Sequence, residues 1–352
     1  MKFFVICPRG LEGPLVAELQ EIAERPEVKQ AGAWVIDPVP NHASGGIAVA
    51  GPLAAALAIN LHSRIASRCI VQLTHTTYRK EDDVYKAARG LAWEEWFEPT
   101  QTIRVDVTAH RSPLTSLNFV TLRIKDAVCD RLREVKGERP SIDTEVPDVR
   151  IYAHLTATHV TIYLDTSGQS LFKRGWRDEK GAAPLKENLA AGILALTHWT
   201  IDKPLMDPMC GSGTLITEAA MLASHTPAQI ARPHFQFMKW PGFDEELWKE
   251  LKAECDAKIV EPLYPIVGSD LDGAALGWAT KNSRKAQVGE YVHFEKADFF
   301  ELETDNAQGI LVMNPPYGER LPLEEAYAFY GKLGDAFKKN WKGWDAWVFS
   351  GH

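Results

Sequence analysis

Two short polar motifs, each directly after an apolar run, constrain this chain more than any other feature. Asn314-Pro315-Pro316-Tyr317 follows the apolar residues 310–313, and about a hundred residues earlier residues 207–214 (DPMCGSGT) follow residues 204–206. Short apolar runs that end in turn motifs are typical of buried strands of a parallel sheet. Because ligands bind beyond the carboxyl ends of such strands, the sequence predicts an α/β fold with a Rossmann-like sheet.

The motif at residue 314 suits the activation of an exocyclic amino group on a base. Such an amine is a poor nucleophile because its lone pair is delocalised into the ring. The Asn314 side-chain oxygen and the Pro315 carbonyl are predicted to accept its two hydrogens, and the prolines restrict the chain that holds them. Tyr317 offers a flat ring for an extruded base. The alternative interpretation is a proline-rich turn that ends a strand.

The glycine loop that begins at Asp207 suits a nucleoside-bearing cofactor. Gly211 and Gly213 allow the backbone to approach a ligand closely, and a helix is predicted after Thr214. Cys210 is interpreted as a small residue in a tight turn, not as a nucleophile. Together, the two motifs predict methyl transfer from S-adenosylmethionine to a base nitrogen.

Other nucleotide-binding loops fit this segment less well. A nicotinamide fingerprint needs a third glycine, where this chain has Ile216, and an acidic residue about twenty residues further on. The next acidic strand end is Asp270, 63 residues after Asp207. No Gly-Lys-Ser/Thr follows the glycines, which excludes a nucleoside triphosphate loop.

Two further apolar runs end in acidic residues. Residues 264–268 lead to Asp270, and residues 292–294 lead to Asp298 and Phe299. We expect Asp270 to accept from ribose hydroxyls and Asp298 from an adenine amino group, with Phe299 beside the ring. Each aspartate alone could be only a helix cap. Polar residues at four successive strand ends predict one cofactor crevice.

Composition predicts a globular chain of two or three domains in the cytosol. Its 352 residues contain no run of eighteen apolar residues and no basic-then-apolar N-terminus. Its five cysteines lack Cys-x-x-Cys spacing, which argues against zinc and predicts no metal site. The net charge of −8 requires any nucleic-acid surface to be a local patch.

The pattern of elements divides the chain into three predicted domains. Residues 1–65 form a small α+β unit, residues 66–165 a second one, and residues 166–352 the sheet domain, with an insertion at about 224–263. Apolar spacings of three and four predict a long helix over about 116–135. Between Arg111 and Arg139 the chain has seven basic and four acidic residues, which suit either an RNA surface or a solvated helix face.

The chain resembles the THUMP-domain class of S-adenosylmethionine-dependent guanine methyltransferases, and within it the bacterial enzymes that methylate the guanine amino group of 23S rRNA. The resemblance rests on residues 122–128 with 137–140, on residues 171–177, on residues 183–191, and on the two strand-end motifs. It implies a class I methyltransferase sheet after a ferredoxin-like unit and a THUMP domain that bind RNA. The predicted RNA contacts are Arg123, Lys125, Arg174, Arg177 and Lys186.

A class I sheet normally has seven strands, whereas residues 344–350 are the fifth predicted here, so the last two strands are expected to be absent.

The resemblance leaves several alternative functions open. The substrate could instead be tRNA, or DNA adenine, although the THUMP-like half disfavours DNA. A non-catalytic RNA-binding assembly protein is the fourth alternative, which intact motifs at Asp207 and Asn314 disfavour.

Overall fold

The computed structural model describes residues 1–30, 32–37, 45–177, 185–316 and 323–350. Distances between Cα atoms divide the chain into two compact units. The first contains residues 1–60, 66–171 and 234–251, and the second contains residues 61–65, 172–233 and 252–352. No helix among the described residues is long and apolar enough to span a bilayer.

The first unit is built on a single seven-stranded mixed sheet. Its strands lie in the order β2-β3-β1-β4-β7-β6-β5. The strands and helices are β1 (Lys2–Ile6), α1 (Glu12–Ala23), α2 (Pro26–Lys29), β2 (Val35–Ile36), β3 (Gly46–Ala50), α3 (Leu53–His62), β4 (Arg68–Thr77), α4 (Glu81–Arg89), β5 (Ile103–Ala109), α5 (Leu117–Lys136), β6 (Val149–Leu155) and β7 (His159–Asp165).

Strand β4 joins the two predicted N-terminal domains. Its first half pairs with β1, where Cys69 lies opposite Val5, and it also pairs with β7 along most of its length. The boundary predicted at residue 65 therefore falls just before a strand that is hydrogen-bonded on both sides. Residues 1–65 and residues 66–165 share one sheet, so the sheet does not separate them. The division of the chain into three domains stays a prediction.

Helix α5 begins and ends as its sequence dictates. The Ser116 hydroxyl accepts from the Phe119 amide, and Gly137 ends the helix in the left-handed conformation with φ 83°. Its buried stripe, which includes Val120, Ile124 and Val128, packs inward, as the spacing predicted. Strand β6 alternates buried and half-buried residues, so one face of the sheet carries Arg150, Tyr152 and His154.

The second unit contains a five-stranded parallel sheet in the order β10-β9-β8-β11-β12. Its helices and strands are α6 (Glu187–Leu196), β8 (Leu205–Asp207), α7 (Thr214–Ala223), α8 (Glu245–Asp256), which extends into the first unit, β9 (Ile266–Asp270), α9 (Gly273–Lys285), β10 (His293–Lys296), β11 (Gly309–Met313), α10 (Leu323–Asn340) and β12 (Trp344–Val348). The strand order reverses between β8 and β11, which is where doubly wound sheets bind ligands.

Side chains of the central strands alternate between two apolar layers. Leu205, Ile310 and Val312 pack with residues of α6, α7 and α9, whereas Met206 and Leu311 pack with residues of α10. Burial on both faces explains why these strands are continuous apolar runs rather than alternating ones. Part of the insertion predicted at about 224–263 does not belong to the second unit, since residues 234–251 are grouped with the first unit.

Candidate active site

The carboxyl ends of β8, β9 and β11 open onto one pocket of about 460 Å³ in the second unit. This volume lies within the range of small-molecule sites. Of the predicted cofactor residues, the pocket is lined by Asp207, Cys210, Gly211, Thr214, Asp270, Asp298, Phe299 and Asn314. The strand ends therefore meet as the sequence predicted, although Gly213 does not line the pocket.

The loop after β8 is held by hydrogen bonds to β9. The Cys210 amide donates to the Ser269 carbonyl over 2.9 Å, and the Gly211 amide donates to Asp270 Oδ2 over 2.8 Å. The second oxygen of Asp270 accepts from the Asp272 amide over 2.9 Å. Asp270 thus positions the loop, a role that its sequence position alone did not reveal.

The two loop glycines have different reasons to be glycine. Both adopt left-handed φ values, 53° at Gly211 and 77° at Gly213. A Cβ atom at Gly213 would lie 2.8 Å from the Cβ of Ala279 on α9, whereas one at Gly211 would meet nothing within 4 Å. Gly213 therefore allows α7 to pack closely on α9, whereas only the left-handed φ favours glycine at residue 211.

Asp207 is fully buried at the base of the pocket. Its Oδ1 accepts from the Met209 amide over 3.0 Å. Burial, and then the nearby charge of Asp270, raise the pKa of Asp207 to about 8. Burial also raises the pKa of the Cys210 thiol well above its usual range, so this cysteine stays protonated and is not an activated nucleophile.

The pocket is lined by acidic side chains. Four aspartates line it, Asp272 in addition to the three predicted ones, and no Lys, Arg or His does so within the described part of the chain. A pyrophosphate would be repelled here, whereas a ligand that carries a positive sulfonium and an ammonium group would be attracted. Binding such a cation favours the ionised form of Asp207.

Aromatic and apolar side chains supply the rest of the lining. Phe299 is buried and stacks on Trp341, with ring centroids 6.0 Å apart. Asp298 caps the short helix that follows, since its Oδ1 accepts from the Phe300 amide over 3.0 Å. The sequence prediction did not include several other lining residues, among them Leu271, Trp278, Phe300 and Phe329, which no strand-end motif indicates.

Asn314 lines the pocket and has an unsatisfied acceptor. Its Oδ1 is buried and has no hydrogen-bond partner among the described residues. A buried polar atom without a partner is costly, and such atoms are commonly satisfied by a ligand. Pro315 is buried and is not among the residues that line the pocket, whereas Pro316 lines it. Tyr317 lies outside the described residues.

The structure contradicts one predicted RNA contact. Arg174 is fully buried, and its Nε donates to Glu218 Oε1 over 3.0 Å. Arg177 is engaged within the same unit, because it donates to Thr214 Oγ1 over 2.6 Å and lies 2.9 Å from Glu187. Lys186 remains exposed, with its Nζ 5.2 Å from the ring centroid of Phe172.

The two RNA contacts predicted on α5 are already paired. Arg123 binds Asp82 at 2.7 Å and lies 4.3 Å from the ring centroid of Tyr85. Lys125 lies 2.7 Å from Asp126. These pairs fit a solvated helix face, although a role of Arg123 and Lys125 in RNA binding stays a prediction.

Three family models match successive parts of the chain. The RlmL ferredoxin-like domain matches residues 2–70, the THUMP domain residues 78–165, and the RMKL-like methyltransferase domain residues 174–352. The last match alone covers about half of the chain. The chain belongs to the RMKL-like methyltransferase family. This assignment confirms the predicted presence of a THUMP domain and a methyltransferase domain, and S-adenosylmethionine as the cofactor of the family's chemistry.

Individual relatives of this family agree over nearly the whole chain. It is 36% identical to the "Putative RNA methyltransferase slr0064" of Synechocystis sp., covering 99% of this chain and 88% of that protein. It is also 36% identical to the "Ribosomal RNA large subunit methyltransferase K/L" of Syntrophotalea carbinolica, and spans about half (49%) of that longer relative.

A solved structure supports the fold of this RMKL-like chain. The crystal structure of SMU.472, described as "a putative methyltransferase complexed with SAH", superposes with a TM-score of 0.85 at 27% identity. The match covers 99% of this chain and 89% of that one. The predicted combination of a ferredoxin-like and THUMP region with a class I methyltransferase sheet is thereby confirmed.

The two loop glycines generate a first test. Gly211→Ala should cost about 1 kcal/mol, because an L residue is strained in the left-handed region. Gly213→Ala should cost about 1–3 kcal/mol more, because its Cβ atom would overlap Ala279. Urea unfolding of both variants without ligand measures the difference. Equal losses of stability would contradict the packing role of Gly213.

The pKa of Asp207 generates a second test. Because its folded pKa of about 8 lies above the unfolded value of about 3.9, the native state holds an extra proton between these pH values. Stability is therefore lost as pH rises through this window, by at most about 1.4 kcal/mol per pH unit. Asp207→Asn should remove this loss, so its melting temperature should increasingly exceed the wild-type value from pH 5 to pH 8. A constant difference would refute the raised pKa.

Proposed function

We propose that this chain transfers a methyl group from S-adenosylmethionine to the exocyclic amino group of a guanine in 23S rRNA. The observation that carries the proposal is the buried, unpaired Oδ1 of Asn314, a residue that lines a pocket suited to a cationic cofactor. The THUMP match and the ribosomal relatives support RNA as the substrate. A cytoplasmic location follows from that substrate.

In this proposal the aspartates of the pocket bind the cofactor, and Asn314 binds the target base. Asp270 is proposed to accept from the ribose and Asp298 from the adenine amino group. Their contacts with backbone amides leave lone pairs on the carboxylate oxygens for these bonds. Asp207 and its neighbouring carboxylates favour the positive charge that the bound donor carries. Bound S-adenosylmethionine supplies a methyl group on a sulfonium, whose departure leaves a neutral thioether.

Asn314 acts on the other reactant. Its oxygen, together with the Pro315 carbonyl, accepts the two hydrogens of the target amine, so that the nitrogen becomes more pyramidal and its lone pair is exposed. That lone pair forms the new N–C bond while the C–S pair passes to sulfur, and the nitrogen then releases one proton. Since no covalent enzyme intermediate is required, the protonated thiol of Cys210 has no part in the reaction.

The identity of the product tests this proposal. Unmodified 23S rRNA is incubated with the protein and labelled S-adenosylmethionine, digested to nucleosides and analysed by mass spectrometry. The expected product is N2-methylguanosine. Parallel reactions with tRNA and with duplex DNA separate the alternatives, since N6-methyladenine in DNA or product in tRNA alone would replace the proposal. Absence of product from all three would favour a binding protein.

Asn314→Ala should separate chemistry from binding. The lost acceptor matters most as the amine becomes nucleophilic, so single-turnover methyl transfer should fall by orders of magnitude while cofactor affinity stays within a few-fold. Asn314→Asp, which keeps an acceptor, is the matched variant and should retain more activity than alanine. Calorimetry and rapid-quench kinetics on the three proteins provide the two readouts. Near-normal transfer by Asn314→Ala would rule out the proposed role.

Asp270→Ala should weaken S-adenosylmethionine binding by about 1.5–3 kcal/mol, because a charge-assisted acceptor is lost. It also removes the partner of the Gly211 amide. Asp270→Asn can retain that contact and should show the loss of charge alone. Asp335→Ala, on an exposed aspartate of α10, is the control. Unchanged affinity in the Asp270 variants, measured by calorimetry, would show that β9 does not contribute to the cofactor site.

A further inference from the structure

One end of the sheet in the first unit carries four histidines on one face. Register places Thr108 of β5 opposite His154 of β6, His154 opposite Thr161 of β7, and Thr161 opposite His75 of β4. These four residues therefore form a row across four adjacent strands. His159 lies two residues before Thr161 on β7, and His110 follows β5 directly.

Threonine hydroxyls fix the orientation of three of these rings. His75 Nδ1 lies 2.8 Å from Thr161 Oγ1, and His154 Nδ1 lies 2.9 Å from Thr108 Oγ1. His159 Nδ1 lies 2.8 Å from the hydroxyl of its neighbour Thr158. Because a hydroxyl can donate or accept, it satisfies Nδ1 in both charge states and leaves Nε2 for an outside partner.

Two of the rings form a flat stacked pair. His75 and His159 are parallel within 3°, with centroids 4.7 Å apart, and His75 is exposed. Aromatic rings presented on a sheet are surfaces on which unpaired bases stack. The pKa of His154 is lowered by burial and by the charge of His110, a repulsion that a bound phosphate would relieve.

Three cations stand on the loops at this end of the sheet. Arg79, Lys80 and Arg111 are exposed and have no ion pair among the described residues. Of the seven basic residues between 111 and 139, Arg111 alone lacks one within the described chain. The other six are paired as Arg123–Asp82, Lys125–Asp126, Arg131–Glu94, Arg133–Asp130, Lys136–Glu98 and Arg139–Asp126.

Tyr78 joins the loops that bear these cations. Its hydroxyl donates to the Thr156 carbonyl over 2.6 Å and lies 2.7 Å from Ser112 Oγ, while its amide donates to the Thr158 carbonyl over 3.0 Å. The loops after β4 and β5 and the turn before β7 are thus held together. A surface fixed before binding loses less conformational entropy when it binds a ligand.

We propose that this sheet end, defined by His75, His110, His154 and His159 with Arg79, Lys80 and Arg111, is the surface of the THUMP-containing unit that binds single-stranded RNA. Its unpaired cations complement phosphates in a chain of net charge −8, and its stacked rings complement bases. The inference rests on the proposed RNA substrate and locates its contact on residues other than Arg123 and Lys125.

The test compares two triple variants of the full chain that lose the same charge. Arg79→Gln/Lys80→Gln/Arg111→Gln removes the unpaired cations, and Arg89→Gln/Arg133→Gln/Lys136→Gln removes three cations that are paired with acids. Binding to a labelled, protein-free 23S rRNA transcript is measured by filter binding across a salt series. S-adenosylmethionine affinity and thermal melts confirm that both variants fold.

The first variant should lose at least tenfold in RNA affinity, and its log–log salt slope should flatten by about 2 units, because each phosphate contact contributes about 0.7–0.9. The control should stay within threefold of wild type. Equal losses in both variants, or none in the first, would overturn the inference.

A second variant keeps every formal charge of the lysines and arginines. His75→Ala/His159→Ala removes the stacked rings and should weaken binding of the same transcript several-fold with little change of salt slope. Unaltered affinity would exclude the rings from the surface. If the wild-type protein methylates 23S rRNA while all these variants bind it normally, only this inference fails. If the wild-type protein binds no RNA at all, the proposed function fails with it.

Discussion

The hydrogen bond from the Gly211 amide to Asp270 holds the pocket of the candidate active site in its shape. It joins the loop after β8 to the end of β9 over 2.8 Å, between residues that are 59 positions apart. The same carboxylate lies near Asp207 and contributes to raising the pKa of that buried group to about 8. The contact that shapes the loop thus also brings acidic groups close together, and a cationic ligand would reduce the electrostatic cost of ionising them.

Strand-end reasoning located this pocket because it depends on local pattern and on one general property of parallel sheets. Asp207, Asp270, Asp298 and Asn314 each follow an apolar run, and the carboxyl ends of such strands share one edge. The strand-end pattern did not show which of these side chains also stabilise the loop. That Asp270 also holds the Gly211 amide follows from a pairing between β8 and β9 that only the folded register shows.

Long-range partners explain the remaining differences between the sequence predictions and the structure. Arg174 belongs to a basic segment, but in the structure it is buried and paired with Glu218, which lies 44 residues later. No local sequence pattern indicates that partner. Strand β4 pairs with both β1 and β7, so one sheet runs through the two stretches that were predicted as separate domains. The segment 234–251 joins the first unit although its neighbours on both sides belong to the second.

Charge pairing changes which cations can matter for RNA. The density of basic residues on α5 favoured this helix as the RNA-binding surface. However, a cation that is already paired with a carboxylate must lose that partner before it can bind a phosphate. The net gain is therefore smaller than at an unpaired cation, whose only competitor is solvent. Arg79, Lys80 and Arg111 form no ion pair within the described chain, although Lys80 also acts electrostatically on the neighbouring Asp83. The three loops that bear them or adjoin them are joined through Tyr78. In an acidic chain, a small unpaired and rigid patch is a better anion site than a longer, balanced helix face.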